Sequence, residues 1–212
     1  MNSRNRIIAA LVVVSGVLSG CSGMPPKPSA YSIDQRPVAA VMDFEYKASA
    51  TAYADTAAGL AESVTASLSE TRRLKLVERA KLKTVIAEAA LGLTGAVDAA
   101  TAAKTGQLVG AKYMVLGSVT RVSVRDEFRS LLILEKTTRY VEIEAEARLI
   151  EVASGLNVAS SKAVSRAEGA EKHAFGAKMG VIPAGDALVQ KAMLGMGEML
   201  AYKLAAEIPP VK

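Results

Sequence analysis

Polar and apolar residues alternate most regularly in the middle of the chain. Arg121, Ser123, Arg125, Glu127 and Arg129 interleave with Thr120, Val122, Val124, Asp126 and Phe128. Further on, Val141, Ile143, Ala145, Ala147 and Leu149 interleave with Tyr140, Glu142, Glu144, Glu146 and Arg148. A period of two predicts two long strands, each with one apolar face. One polar face is mainly basic and the other mainly acidic, so an antiparallel hairpin would set opposite charges side by side. Exposed pairs of this kind add little stability, and they set register and partner instead. Asp126 breaks the apolar face, and Leu131, Leu132, Ile133 and Leu134 make an apolar tip. Such a tip is a candidate contact for a membrane or a neighbouring subunit. The hairpin's apolar face would meet lipid or cover the domain's own helices.

The remaining pattern surrounds this hairpin with helices and shorter strands. Residues 38–44 are a short apolar run, read as a buried first strand, and residues 74–77 as a second. Ala57, Leu60, Ala61, Val64 and Leu68 recur at helical spacing, as do Leu82, Val85, Ile86, Ala89, Ala90 and Leu93. Gly92 and Gly95 would end the latter helix. Asp98 is placed to cap a short helix that Gly110 would stop. A strand is expected from Tyr113 and another over residues 158–166, with residues 169–185 read as a glycine-rich loop. Asp186 would cap a last helix whose stripe is Val189, Ala192, Met193, Met196, Leu200 and Leu204, and Pro209-Pro210 would stop it. The order of elements predicts an α/β fold: a mixed β-sheet packed with helices, with a long extended β-hairpin at about residues 118–150.

The N-terminus carries a different signal. Arg4 and Arg6 precede an apolar run from Ile7 to Val17, which is followed by Leu18-Ser19-Gly20-Cys21. A basic start, a short apolar core and small residues before a break mark a secretory leader. The run is shorter than the roughly 20 residues of a membrane-spanning helix. The ending resembles the bacterial lipobox. By that resemblance the chain is cut between Gly20 and Cys21, the Cys21 thiol takes a diacylglycerol and the new amine an acyl chain. A thiolate is the nucleophile suited to that transfer. Ser22, again by resemblance to bacterial sorting signals, favours the outer membrane. Residues 1–20 are then the signal peptide and 21–36 the lipidated start and proline-rich tether. Residues 37–208 are the domain.

Composition narrows the chemistry. Cys21 is the one cysteine among 212 residues, so no disulfide framework and no thiolate metal site is available. The net charge of +5 includes both leader arginines, and no concentrated basic stripe points to nucleic acid. His173 is the only histidine, and no serine or aspartate signature surrounds it. Gly176 to Gly180 lacks phosphate-loop spacing. Glu142, Glu144 and Glu146 read as ion-pair partners of the arginines. The expected function is therefore not enzymatic, with no cofactor beyond the acyl groups on Cys21.

Several stretches in order resemble the curli production and transport lipoprotein family, CsgG. After the lipobox come Val41-Met42-Asp43-Phe44, Leu76-Val77-Glu78-Arg79, and the run from Leu108 through Gly117-Ser118. The hairpin then returns through Arg148 to Gly155. Lipoprotein activators of penicillin-binding proteins, the LpoB type, share this sort of domain. The resemblance implies a periplasmic domain hung from the outer membrane, assembled as a homo-oligomeric ring. In that family each subunit gives hairpins to a shared barrel that exports unfolded amyloid subunits. A secreted or periplasmic client is implied here, and an LpoB-type adaptor that binds a cell-wall synthase is the alternative. Tyr46 and Tyr53 fall in the loop where the curli channel narrows, which makes them candidate pore-lining residues. The second barrel hairpin, expected after Gly155, is short and charged in this sequence, and the tether is shorter than the family's arm.

Overall fold

The computed structural model describes residues 23–88, 98–131, 134–174 and 177–211. Its strands are β1 (Val38–Val41), β2 (Glu45–Tyr46), β3 (Lys75–Leu76), β4 (Tyr113–Leu131), β5 (Leu134–Glu151), β6 (Asn157–Ala174) and β7 (Ala177–Met179). Its helices are α1 (Thr56–Thr71), α2 (Arg79–Glu88), α3 (Ala99–Val109) and α4 (Gly185–Ala206). The strands form one mixed sheet in the order β3-β1-β4-β5-β6-β7, and β2 pairs with β4 beside that path. β1 lies parallel to both β3 and β4, whereas β4, β5 and β6 are antiparallel neighbours.

Helices cover both faces where the sheet is parallel. Leu60, Val64 and Leu68 of α1 and Met196, Leu200 and Leu204 of α4 pack on Val115, Val119, Ile143 and Leu149. On the opposite face Leu82 of α2 and Ala102 and Val109 of α3 pack on Ala40, Met42, Met114, Leu116, Ile150 and Val152. β1 is apolar at every position because it is covered on both sides. β4 alternates, sending Val115 to one core and Met114 and Leu116 to the other.

A register shift between Val119 and Arg121 resets this alternation. An extra residue in one strand reverses the parity of everything after it. Val119 therefore shares the α1/α4 side with Val122 and Val124 rather than with Arg121. Thr120, at the shift, donates its hydroxyl to the Glu144 carbonyl at 3.2 Å.

Several elements end elsewhere than their patterns indicate. β1 stops at Val41 rather than at Phe44, because Phe44 leaves the strand line to pack in the main core against Gly117. The region 169–185 is not a long loop. β6 continues to Ala174 and β7 pairs back onto it through Lys172, His173 and Ala174. Gly169 lies inside the strand, where its missing side chain makes room for Pro183. α4 begins with Ala184 at its cap position and Asp186 in its first turn, so Asp186 is not the cap. The expected end of the second helix at Gly92 and Gly95 lies outside the described residues.

The tether is bound earlier than its composition suggests. Tyr31 N–H donates to the Arg72 carbonyl at 3.1 Å, and its hydroxyl donates to the Ile208 carbonyl at 2.7 Å. Residues Ile33–Gln35 form a 3-10 turn, and Val211 N–H donates to the Gln35 carbonyl. The free part of the tether therefore ends near Ala30.

Candidate functional site

The β4-β5-β6 sheet outlasts its helical cover, and the hairpin tip lies on this extension. α4 starts beside Val124, since a Cβ on Gly185 would lie 3.7 Å from that side chain. Beyond this level β4 and β5 run about seven more residues, or about 20 Å. Phe128, on the helix side, is 64% exposed there.

On the side away from α1 and α4 the three strands present a striped charged face. Arg121 and Arg125 stand on β4, Glu142, Glu144 and Glu146 on β5, and Lys162 and Arg166 on β6. The central acids are shared between the flanking cations. Arg121 approaches Glu144 at 3.4 Å, Lys162 approaches the same carboxylate at 3.8 Å, and Arg166 reaches Glu142 at 2.6 Å. Arg125 lies 5.4 Å over the Tyr140 ring. Ser118 donates to Glu146 at 3.1 Å.

Three depressions accompany this face. The largest, about 460 Å³, lies where β2 meets the charged strands, lined by Asp43, Lys47, Glu146, Arg148 and Lys162 among others. A groove of about 110 Å³ runs between Arg121, Arg125, Glu142 and Arg166. The third, about 320 Å³, is at the hairpin tip between Leu131, Leu134 and Met179, with Arg129, Lys136 and Lys172 around it. Asp43 is also paired with Arg79 of α2, which fastens the start of that helix beside the first of these depressions.

The candidate residues are spread widely. Leu131 and Leu134 face each other at the tip, 71% and 50% exposed, and Leu132 and Ile133 lie outside the described residues. Cys21 and Gly20 also lie outside them. Tyr46 and Tyr53 are half-buried against the main core. The Tyr46 hydroxyl donates to the Ala50 carbonyl, and burial, with Tyr53 nearby, pushes its pKa up.

Pattern alone did not reveal four contributing residues. Arg139 pairs with Asp126 on the apolar face, which explains how a charge is carried there. Lys162 and Arg166 complete the stripes from β6, and Met179 lines the tip cavity from β7. All three relationships depend on strand register, which period-two patterning does not state. The signal for Arg139 is its place in β5, opposite Asp126, the one acid on the apolar face of β4.

The chemistry available is recognition of charge. His173 lies 2.7 Å from Glu171, which also pairs with Lys178 at 2.7 Å. Hydrogen bonds from Lys178 and His173 hold the Glu171 carboxyl below the usual range. Among the described residues, no group of three or more His, Cys, Asp or Glu is placed to hold a metal ion. Among the same residues, no helix is long and apolar enough to cross a membrane.

Residues 28–188 match the family described as curli production assembly/transport component CsgG. The chain belongs to the CsgG family. The matched region runs from the tether through the charged face into the first turn of α4. No curated protein matches the chain.

Solved structures with similar stretches are more distant. Lipoprotein GNA1162 from Neisseria meningitidis is 20% identical over 62% of this chain and 83% of its own, with a TM-score of 0.43. The LpoB C-terminal domain from Salmonella enterica is 17% identical over 64% and 86%, with a TM-score of 0.44. A PelC dodecamer from Paraburkholderia phytofirmans is 10% identical over 85% and 98%, with a TM-score of 0.39.

Proposed function

We propose that this CsgG-family chain is a lipid-anchored, non-catalytic component of the assembly or export of cell-surface proteins. It works at the periplasmic face of the outer membrane as a homo-oligomer, and its client is a secreted or periplasmic protein. The family match over residues 28–188 carries this proposal. The lipobox ending at Cys21 supports the anchor. Several acyl chains, at about 0.8 kcal/mol per buried methylene, make a firm one. The projecting hairpin, with exposed Leu131 and Leu134, supports a role in contact with a neighbour or a membrane.

One observation favours an LpoB-type adaptor as the second reading. β7 has three residues, whereas transmembrane barrel strands need about 9–11. The second hairpin of a pore is thus short in this chain.

Imaging the lipidated protein in detergent separates the two. Rings with a membrane-embedded barrel support export, and monomers or rings without a barrel support the adaptor. Membrane fractionation of a Cys21→Ala variant tests the anchor. The variant is expected to leave the outer-membrane fraction, and full retention there would overturn the anchor.

A further inference from the structure

We propose that the outer edge of β6 takes up an extended acidic segment of a partner protein as an added strand. Neither the lipid anchor nor the ring enters this proposal, which rests on the edge and its charges. Among the described residues, β6 is paired along its length by β5 on one side. On the other side it is paired only by β7, at Lys172, His173 and Ala174. Residues 157–168 therefore present an open edge, and such an edge is a template for another strand.

Two hydrogen bonds show which backbone groups point outward. Lys203 of α4 donates to the Lys162 carbonyl at 3.1 Å, so that carbonyl is turned from β5. Glu144, the partner of Val164, turns its carbonyl toward β4, where Thr120 donates to it. In an antiparallel ladder such groups alternate. The N–H and C=O of Ser160, Lys162, Val164, Arg166 and Glu168 accordingly face the open edge. Lys203 is an exposed side chain that can swing aside.

Charge selects the occupant. Within the sheet, acidic β5 lies between basic β4 and basic β6. A strand beside β6 meets Lys162, 64% exposed, and Arg166, 73% exposed. Acids beside these two complement both, and the exposed Glu168 on the same face limits the acidic stretch to the edge before it. Their other-face neighbours Ser161, Ala163, Ser165 and Ala167 are small and buried, so apolar residues between the acids would continue that face. A second copy could offer the outer edge of its β4, which β2 pairs only at Ser118 and Val119. That would set Arg121 and Arg125 beside Lys162 and Arg166, and like charges side by side oppose pairing.

The test uses the full chain in detergent and labelled nine-residue peptides that alternate Val with Glu or Val with Lys, read by fluorescence anisotropy. The Val–Glu peptide is expected to bind at least ten-fold more tightly than the Val–Lys peptide. Lys162→Glu with Arg166→Glu should reverse that preference. Val164→Pro removes one outward N–H from an edge position where proline is tolerated, and should weaken binding at least ten-fold with little change in Tm. A Val–Glu peptide N-methylated at alternate amides should lose binding to the unaltered chain, which keeps the test independent of how the proline variant folds. Absence of binding, equal binding of both peptides, or undiminished binding of the N-methylated peptide overturns the proposal. So does an oligomer that Val164→Pro disperses and the Val–Glu peptide leaves intact, because the edge would then belong to a second copy.

Discussion

Arg139 holds Asp126 in a two-pronged grip, with Nε and a terminal nitrogen each donating to one carboxylate oxygen at 2.7 Å. The two residues face each other across β4 and β5 on the side that is otherwise apolar. A third donor of Arg139 reaches the Pro183 carbonyl at 3.2 Å, and Pro183 packs on Gly169 of β6. One guanidinium thus ties three strands to the segment that leads into α4, at the level where helical cover ends. A planar fork suits this task better than a lysine.

The pair makes stability depend on acid in a definite direction. Hydrogen bonds from Arg139 hold the Asp126 carboxyl below its ordinary value of 3.8. A depressed acid stabilises the fold above its unfolded pKa, and the contribution is lost as pH falls through the lower folded value. Asp126→Asn should therefore lower the urea midpoint at pH 7, and the gap to the unaltered chain should narrow once the pH drops below 3.8. A gap that widens on acidification would sink this assignment.

Gly117 and Phe44 make a tighter contact. A Cβ on Gly117 would fall within the Phe44 ring, which is buried in the main core. Gly117→Ala must push the ring or bend β4, at a cost of about 1–3 kcal/mol for overpacking. Phe44→Leu with Gly117→Ala should recover part of that loss. Chemical denaturation of both single variants and the pair measures the coupling, and additive losses would show that the ring is not the obstacle.

How legible these features were depends on how local their causes are. Asp98 and Gly110 bound α3 as expected, because caps act within one turn. The Asp98 carboxylate accepts from Thr101 N–H at 2.7 Å, and Gly110 has a φ of +70°. The long alternation of β4 and β5 was equally visible, since period two belongs to each strand alone. What escaped was set by distant partners. Gly169 reads as a loop glycine until Pro183 is seen packing on it. The Asp126 charge reads as a break in the apolar face until register brings Arg139 opposite. The stripes gain Lys162 and Arg166 only when β6 is known to lie beside β5. Tyr31 reads as tether because its anchors, Arg72 and Ile208, are far along the chain.

Tyr31 and Arg73 share one acceptor. The Ile208 carbonyl receives the Tyr31 hydroxyl at 2.7 Å and an Arg73 nitrogen at 3.0 Å, and the guanidinium stacks 4.1 Å over the Tyr31 ring. Either donor alone keeps the carbonyl satisfied. Tyr31→Phe should therefore cost only about 0.5–1.5 kcal/mol, the net worth of one hydrogen bond. Arg73→Met keeps the length of the side chain and loses the guanidinium, and with it both the bond and the stacking. The double variant leaves a carbonyl without a donor at this position, so its loss should exceed the sum of the single losses. Additivity in urea unfolding would show that the two bonds act separately.

The α1–α4 contact offers two glycines with opposite expected outcomes. Gly59 of α1 faces the Met193 side chain, whose Sδ would lie 2.8 Å from an added Cβ. A thioether end moves easily, and alanine is about 1 kcal/mol better than glycine within a helix. Gly59→Ala should leave stability unchanged or raise it slightly. Gly197 of α4 faces Ser63, where an added Cβ would meet the hydroxyl and lie 3.0 Å from the backbone carbon. Backbone cannot swing aside, so the helices must separate and the overpacking cost of about 1–3 kcal/mol outweighs the gain in propensity. Thermal unfolding of the two variants side by side decides the matter, and a Gly197→Ala protein as stable as Gly59→Ala would mean that the two helices are not held this close.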